Sequence, residues 1–356
     1  MIQSIVSEDI QRILDGIRTE VAALEGKTIL IAGGAGFLGS YIVAVLQQLN
    51  RDVFSHPCKV LVLDNYITGS RNHILTRITD PNIQFVDHNV SLPFDMEGDL
   101  HYILHAAGIA SPVHYRTFPV EAIESAIWGA KNLLELARRK TIQSFLFFSS
   151  SEIYGDPAHE FIPTPETYLG NVSCTGPRAC YDESKRLGET LCMTYFHRFG
   201  VSVRTVRPFN VYGPGMKVND YRVIPTFLLR ALNGEPLPVH SNGNQTRTFC
   251  YVTDAVTGFL KVLLSPQPGE VYNVGNDHPE ISMAQLAAEI AGLFSHAVPI
   301  QFIEYPDSYP KGEPQRRVPD LSKIQKELGF APGVDLRAGL QRTLDWFVEN
   351  HRNVTP

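Results

Sequence analysis

Apolar residues recur at three- and four-residue intervals from the first turn of the chain: Ile2, Ile5, Val6, Ile10, Ile13, Leu14, Ile17, Val21 and Leu24. That period lines them along one stripe of a helix, so residues 1–26 are expected to form an amphipathic helical extension. Ser7, followed by Glu8 and Asp9, suits a helix start, because a side-chain oxygen and negative charge favour the exposed N–H groups there. The helix is expected either to pack on its own domain or to join an oligomer contact.

Near residue 27 the pattern changes. "KTILIAGGAGFLGSYIVAVLQQL" reads as a buried strand, a glycine turn and a helix, and "KVLVLDNY" as a second strand. "IQFVDHNV", "YILHAAG", "SFLFFSSSEIYG" and "VSVRTVRPFN" are further short apolar runs, with helical stretches between them at 119–139 and 180–199. Strands without alternation, separated by helices, predict a parallel sheet covered on both faces, a Rossmann-type doubly wound α/β fold. From about residue 210 the chain turns to Gly- and Pro-containing loops broken by helices. This reads as a smaller C-terminal lobe over the carboxyl ends of the strands, where open α/β sheets bind ligands. The expected division is an extension at 1–26, a nucleotide-binding domain at 27–209 and a substrate lobe at 210–356, with residues 248–277 returning to the first domain.

Composition narrows the possible functions. The 356 residues are 44% hydrophobic and 19% charged, enough for one large domain with a lobe. A net charge of −6 with no basic run argues against nucleic acid as partner. No apolar run approaches membrane-spanning length, and Glu8 and Asp9 interrupt what would be a signal peptide's core. Cys58, Cys174, Cys180, Cys192 and Cys250 show no paired spacing, as in a reduced, cytoplasmic protein. His101 and His105 lie on a strand-like stretch without acids or thiols at metal-ligand spacing, so no metal is expected. No G-x-S-x-G elbow is present to suggest a serine hydrolase.

The candidate chemistry begins at "GGAGFLG". Gly33, Gly36 and Gly39 follow a strand and open a helix. In that position the first glycine turns the chain, the second lets the backbone approach a pyrophosphate, and the third allows close helix–sheet packing. Asp64 ends the next strand, where an acid accepts a ribose 2′-hydroxyl and repels a 2′-phosphate, favouring NAD over NADP. Further on, "CYDESKRLGE" puts Tyr181 and Lys185 four apart on one helix face.

With "GGAGFLG", "LHAAG", "SSSEIYG" and the Tyr181–Lys185 spacing in order, residues 27–350 resemble the extended short-chain dehydrogenases that act on nucleotide sugars, the NAD-dependent epimerase/dehydratase family. Within it, "GPRACYDESKRLGET", "FNVYGPGM" and "EPQRRVPDLSKIQKELGF" are most similar to UDP-glucuronate decarboxylases, which make UDP-xylose with an NAD that is reduced and reoxidised in each turnover. The resemblance implies that Gly33, Gly36, Phe37, Leu38, Gly39, Asp64, Asn65, Ala106 and Ala107 hold NAD together with Tyr181 and Lys185. Tyr181 would be the base, Lys185 its activator and Ser150 the hydrogen-bonding partner of the reacting hydroxyl. A free phenol has a pKa near 10, so ionising it at neutral pH takes roughly 4 kcal/mol of preferential stabilisation.

Asn210, Arg222 and Arg247 would bind the substrate, with the two arginines on the nucleotide diphosphate, and Arg317 would meet the sugar carboxylate, with Arg316 as its rival. Ser151 and Glu152 stand where 4,6-dehydratases carry Asp-Glu, and a serine hydroxyl is too weak an acid to expel water. Glu152 would position the water that protonates C5, or repel the substrate carboxylate. Ala126, Asn89 and "HAAGIASP" depart from the usual pattern. The alternatives are a nucleotide-sugar 4-epimerase or 4-oxidase/4,6-dehydratase and, from another class, a non-catalytic NAD sensor. A homodimer through the helices at 119–139 and 180–199 is implied as well.

Overall fold

The computed structural model describes residues 2–70, 79–217, 220–305 and 314–352. Its centre is a seven-stranded sheet. The strands are β1 (Thr28–Ala32), β2 (Lys59–Asp64), β3 (Ile83–Asp87), β4 (Tyr102–His105), β5 (Ser144–Phe148), β6 (Val203–Pro208) and a last strand, Val271–Val274. They lie in the order β3-β2-β1-β4-β5-β6 with Val271–Val274 outermost beside β6, and every neighbouring pair is parallel.

Both faces are buried, which is why the strand sequences show no alternation. Ile29 and Ile31 of β1 and Leu146 and Phe148 of β5 join one core, while Leu30, Phe145 and Phe147 join the other. The first core is closed by α1 (Ile2–Gly16) and α2 (Phe37–Asp52), the second by α4 (Pro119–Lys140) and α5 (Ala179–Phe199), with the short α3 (Pro112–Thr117) leading into α4. Strand order reverses between β1 and β4, so their carboxyl ends open a crevice there.

After β6 the chain runs through α6 (Val223–Leu232) and returns to the first core with α7 (Val252–Leu263) before entering the sheet at Val271–Val274. The remaining helices are α8 (Met283–Ala291), α9 (Ser322–Leu328) and α10 (Leu336–Arg352). A three-stranded patch binds the lobe together: Thr246–Arg247 pairs antiparallel with Ile281–Ser282 and parallel with Arg316–Arg317.

The extension differs from its expected form. Its helix begins at Ile2 and ends at Gly16, with a separate 3₁₀ turn at Val21–Leu24, so Ser7 lies inside the helix and is not its start. Asp9 shares a face with Ile5 and Ile13 and is fully buried. It accepts hydrogen bonds from the phenols of Tyr251 (2.9 Å) and Tyr41 (3.2 Å) and pairs with Arg342 of α10 at 2.7 Å. Burial pushes its carboxyl up, and Arg342 and the two phenols oppose that. The helix therefore packs on its own chain, against α2, α7 and α10.

Candidate active site

The crevice between β1 and β4 is shaped by its glycines. Gly33 has φ +84°, and a Cβ there would stand 2.6 Å from the Ala107 backbone. On Gly39 a Cβ would stand 2.3 Å from the Gly33 carbonyl oxygen. On Gly36 it would meet only that same oxygen, at 3.3 Å. Two glycines are thus fixed by packing, and the third keeps the crevice floor open. Asp64, at the end of β2, accepts the Ala35 and Tyr66 N–H groups at 2.9 and 2.8 Å, tying the glycine turn to the next loop. Burial raises its pKa and these two bonds oppose the rise.

Asp64, Asn65, Ala106 and Ala107 line the crevice with Gly33 and Gly36, and Asn89 lies on the same wall. Phe37, Leu38 and Gly39 line its continuation towards Lys217 and Arg222. His101 and His105 are kept apart in role: the first accepts the Thr28 N–H at 3.0 Å, and the second is buried in β4. Ala126 is buried within α4.

Tyr181 and Lys185 are both buried on α5. The tyrosine ring stacks on Tyr115, centroids 5.2 Å apart and planes 11° from parallel. Lys185 donates to the Phe148 carbonyl at 2.8 Å, which pins its ammonium at the end of β5, 5.7 Å from the Tyr181 ring centroid. Gly108, lining the crevice, leaves room for that ammonium, since a Cβ would come within 3.2 Å of it. Burial lowers the Lys185 pKa to about 8. Burial also pushes the Tyr181 phenol up to about 12, against a hydrogen bond from Ser150 that favours ionisation. Ser150 caps the 3₁₀ turn Ser151–Tyr154, accepting the Glu152 N–H at 3.2 Å, and Ser151 is buried in that turn.

Beyond the phenol lies a cavity of about 270 Å³ lined by Glu152, Arg178, Asn210, Arg222, Arg247 and Arg317. Strand register decides which lobe arginine faces Glu152. Arg317 pairs in register with Arg247, whereas Arg316 pairs with Thr246 and so points to the opposite face. Arg316 is bound there to Glu280 by two bonds of 2.8 Å, which removes it as a rival. Arg317 gives Glu152 a two-pronged contact at 2.6 and 2.7 Å.

Arg178 also donates to Glu152, and its Nε reaches Asp182 at 3.4 Å. Burial would raise the Glu152 pKa, but Arg317, Arg178 and Arg247 outweigh it and hold it near 2. Arg247 is steadied by the carbonyls of Thr246, Pro314 and Gln315, and Asn210 by that of Thr248. Arg222 pairs with Asp220 at 2.7 Å and lines both the cavity and the crevice.

Arg178, Asp182 and Tyr115 escaped the sequence reading. The first two are i,i+4 neighbours where α5 begins, a spacing visible in "RACYD". Among the described residues no cluster of His, Cys, Asp and Glu is suited to a metal, and no helix is long and apolar enough to cross a membrane.

Residues 29–275 match the family model described as the NAD dependent epimerase/dehydratase family. The chain belongs to that family. It is 41% identical over 313 residues to UDP-glucuronic acid decarboxylase 3 of Arabidopsis thaliana, covering 88% of this chain and 86% of that one. With UDP-glucuronic acid decarboxylase 1 of Xenopus tropicalis it shares 40% identity over 321 residues, 90% of this chain and 72% of that one. Among solved structures, the dTDP-glucose 4,6-dehydratase of Streptomyces venezuelae, solved with NAD bound, superposes with a TM-score of 0.78 at 25% identity, covering 91% of this chain and 98% of that one. NAD, the cofactor of the family, fits the crevice: the cradle excludes side chains at Gly33 and Gly39, and a carboxylate stands on its wall at the end of β2.

Proposed function

We propose that this protein is an NAD-dependent decarboxylase that converts UDP-glucuronate to UDP-xylose. The observation that carries this reading is Arg317, a buried guanidinium turned into the cavity on the same strand face as Arg247, in a chain whose relatives are UDP-glucuronic acid decarboxylases. A planar guanidinium fork is suited to a carboxylate.

Gly33, Gly36, Phe37, Leu38, Gly39, Asp64, Asn65, Ala106 and Ala107 hold the cofactor in this reading. When bound, NAD would supply the hydride acceptor and a positively charged ring. Tyr181 Oη takes the proton of the sugar's C4 hydroxyl, and the Ser150 hydroxyl orients that oxygen. From a pKa of about 12, ionisation at neutral pH needs about 7 kcal/mol of preferential stabilisation. Lys185 and Arg222 are the cationic side chains of this chain that bear on it. Arg247, Arg222 and Asn210 hold the nucleotide diphosphate end, and Arg317 the sugar carboxylate.

Once C4 is a ketone, the C6 carboxylate is that of a β-keto acid. The C5–C6 bond breaks, its electron pair enters an enolate delocalised onto the C4 oxygen, and carbon dioxide leaves. Glu152 competes with the substrate carboxylate for Arg317, so loss of that charge relieves a repulsion. A water positioned by Glu152 then protonates C5, the hydroxide left behind taking a proton from solvent. Tyr181 Oη returns its proton to the C4 oxygen as the hydride would return to C4, giving UDP-xylose. Incubating the purified protein with UDP-glucuronate should release carbon dioxide and yield UDP-xylose by NMR, without net NADH. Inversion at C4 of a neutral sugar, with no carbon dioxide, would replace this reading by that of an epimerase.

The protein is also inferred to be a homodimer through α4 and α5. Val120 and Trp128 on the first helix are 59% and 50% exposed, and Leu187 on the second is 44% exposed. Exposed apolar residues on two neighbouring helices fit a partner surface.

A further inference from the structure

Two acids and two guanidiniums meet where α5 begins, and a carboxylate substrate brings a third acid to them. Arg317 gives both of its terminal nitrogens to Glu152, and Arg178 is shared between Glu152 and Asp182. The acids are held unequally. Glu152 is gripped through both oxygens, whereas Asp182 has the one 3.4 Å contact with Arg178. The other oxygen of Asp182 is buried with no hydrogen-bond partner among the described residues, and so is the nearby Tyr115 hydroxyl. The charged and titratable groups that act on Asp182 are Arg178, Cys180 and Tyr181 from its own helix, Tyr115 from α3, Glu152 from the 3₁₀ turn and Arg317 from the lobe.

We propose that Asp182 takes up a proton from solvent when a carboxylate-bearing nucleotide sugar binds, so that the cluster remains neutral with three acids around two guanidiniums. The proposal rests on the UDP-glucuronate reading. With Arg247, the third guanidinium acting on Glu152, committed to the nucleotide diphosphate, seating the sugar carboxylate on Arg317 without a proton would leave one buried negative charge uncompensated, a costly arrangement. Glu152, gripped by Arg317 through both oxygens and held below the usual carboxylate range, is the harder acid to protonate. The Asp182 carboxyl is already raised, by burial first and by Glu152 second, against the pull of Arg178 and Arg317. Turning the Arg317 fork towards the substrate weakens that pull and raises Asp182 further. No covalent bond other than the new O–H changes, and the bare Asp182 oxygen becomes a hydroxyl donor or its neighbour.

UDP-4-deoxy-4-fluoro-glucuronate keeps the carboxylate but has no C4 hydroxyl to oxidise, which makes it the probe. Its binding to NAD-loaded protein is to be measured by calorimetry at pH 8 in buffers of different ionisation enthalpy, with UDP-glucose as the neutral control. Uptake approaching one proton is expected for the fluoro-glucuronate and none for UDP-glucose. Wild-type affinity for the acid should fall up to tenfold per pH unit above pH 7, with no matching fall for UDP-glucose. Asp182→Asn should still bind the acid but without proton uptake, and Asp182→Ser gives a second charge-removing variant should the first not fold. Tight binding by wild-type protein without uptake, or uptake surviving in either variant, overturns the proposal while leaving the substrate reading standing. Failure of wild-type protein to bind the acid at all overturns both.

Discussion

Arg317→Ala removes the guanidinium proposed to hold the sugar carboxylate. The side chain is 6% exposed, and its fork already spans both Glu152 oxygens at 2.6 and 2.7 Å. A substrate carboxylate that takes over part of this fork gains a charge-assisted hydrogen bond worth about 1.5–3 kcal/mol, or about 10- to 150-fold in affinity. Because Glu152 must release what the substrate gains, the lower end applies, and about tenfold is expected. UDP-glucose has no carboxylate, so its affinity should change far less. Arg317→Lys keeps the charge and loses the fork, and should fall between the two. Titrating both nucleotide sugars into NAD-loaded wild-type and variant protein reads the ratio directly, and a melting curve with NAD present shows whether the variant is folded. Equal weakening for the two sugars, or an undiminished preference for the acid, would refute the assignment of Arg317 to the carboxylate.

Tyr181→Phe keeps the ring stacked on Tyr115 and deletes the proposed proton acceptor, so steady-state turnover should fall by about 10²–10⁴ with little change in substrate affinity. Near-full activity would make the residue structural. Burial lowers the Lys185 pKa from 10.5 to about 8, so the pH–rate profile should fall above about pH 8 as the ammonium is lost, and Lys185→Arg should move that fall to higher pH. The same shift means that charging Lys185 opposes folding below pH 8, a cost that fades as pH rises towards 10.5. Trp128→Glu places a charge among the exposed apolar residues of α4 and should convert the proposed dimer to monomer in sedimentation at micromolar concentration. A wild-type monomer would count against the dimer altogether.

The sheet was legible in the sequence because burial on both faces leaves a strong, local signal. All of β4 and β5 is inaccessible, and their apolar runs need no partner to be recognised. The glycine turn was legible for a related reason: Gly39 is forced by contacts within one strand–turn–helix unit and Gly33 by its φ of +84°, although the backbone that Gly33 also makes room for, Ala107, comes from the loop after β4. Arg317 and Arg316 were different. Which of them reaches Glu152 depends on the register of two-residue strands contributed by distant parts of the chain, and no local period encodes that. Asp9 illustrates the same limit from the polar side. Its charge suggested a helix terminus, but its position in line with Ile5 and Ile13 put it in the core, where partners from three other elements satisfy it.

Those partners give the extension a place in the architecture of the site. Tyr41 belongs to α2, the helix whose first residues line the cofactor crevice. Tyr251 stands at the start of α7, which leads into the strand that completes the sheet, and Arg342 belongs to α10, the last helix. Asp9 is the common acceptor of all three, and the Tyr251 hydroxyl in turn accepts from Arg342 at 3.2 Å, so the phenols and the guanidinium form one connected network around a single carboxylate. A buried charge with this many donors is far more demanding of geometry than an apolar contact, since each donor left unpaired costs about 1–3 kcal/mol. The extension thus joins the cofactor helix to the closing helix of the chain through polar bonds that tolerate little displacement. Arg222 makes the corresponding link at the site itself, lining both the crevice and the cavity. Catalysis in the proposed reaction needs the C4 hydroxyl held against Tyr181 while the nucleotide is gripped from the lobe, and these two links are among the contacts that hold the two halves together, beside bonds such as Lys323 to Glu270 and Asn273 to Asp320.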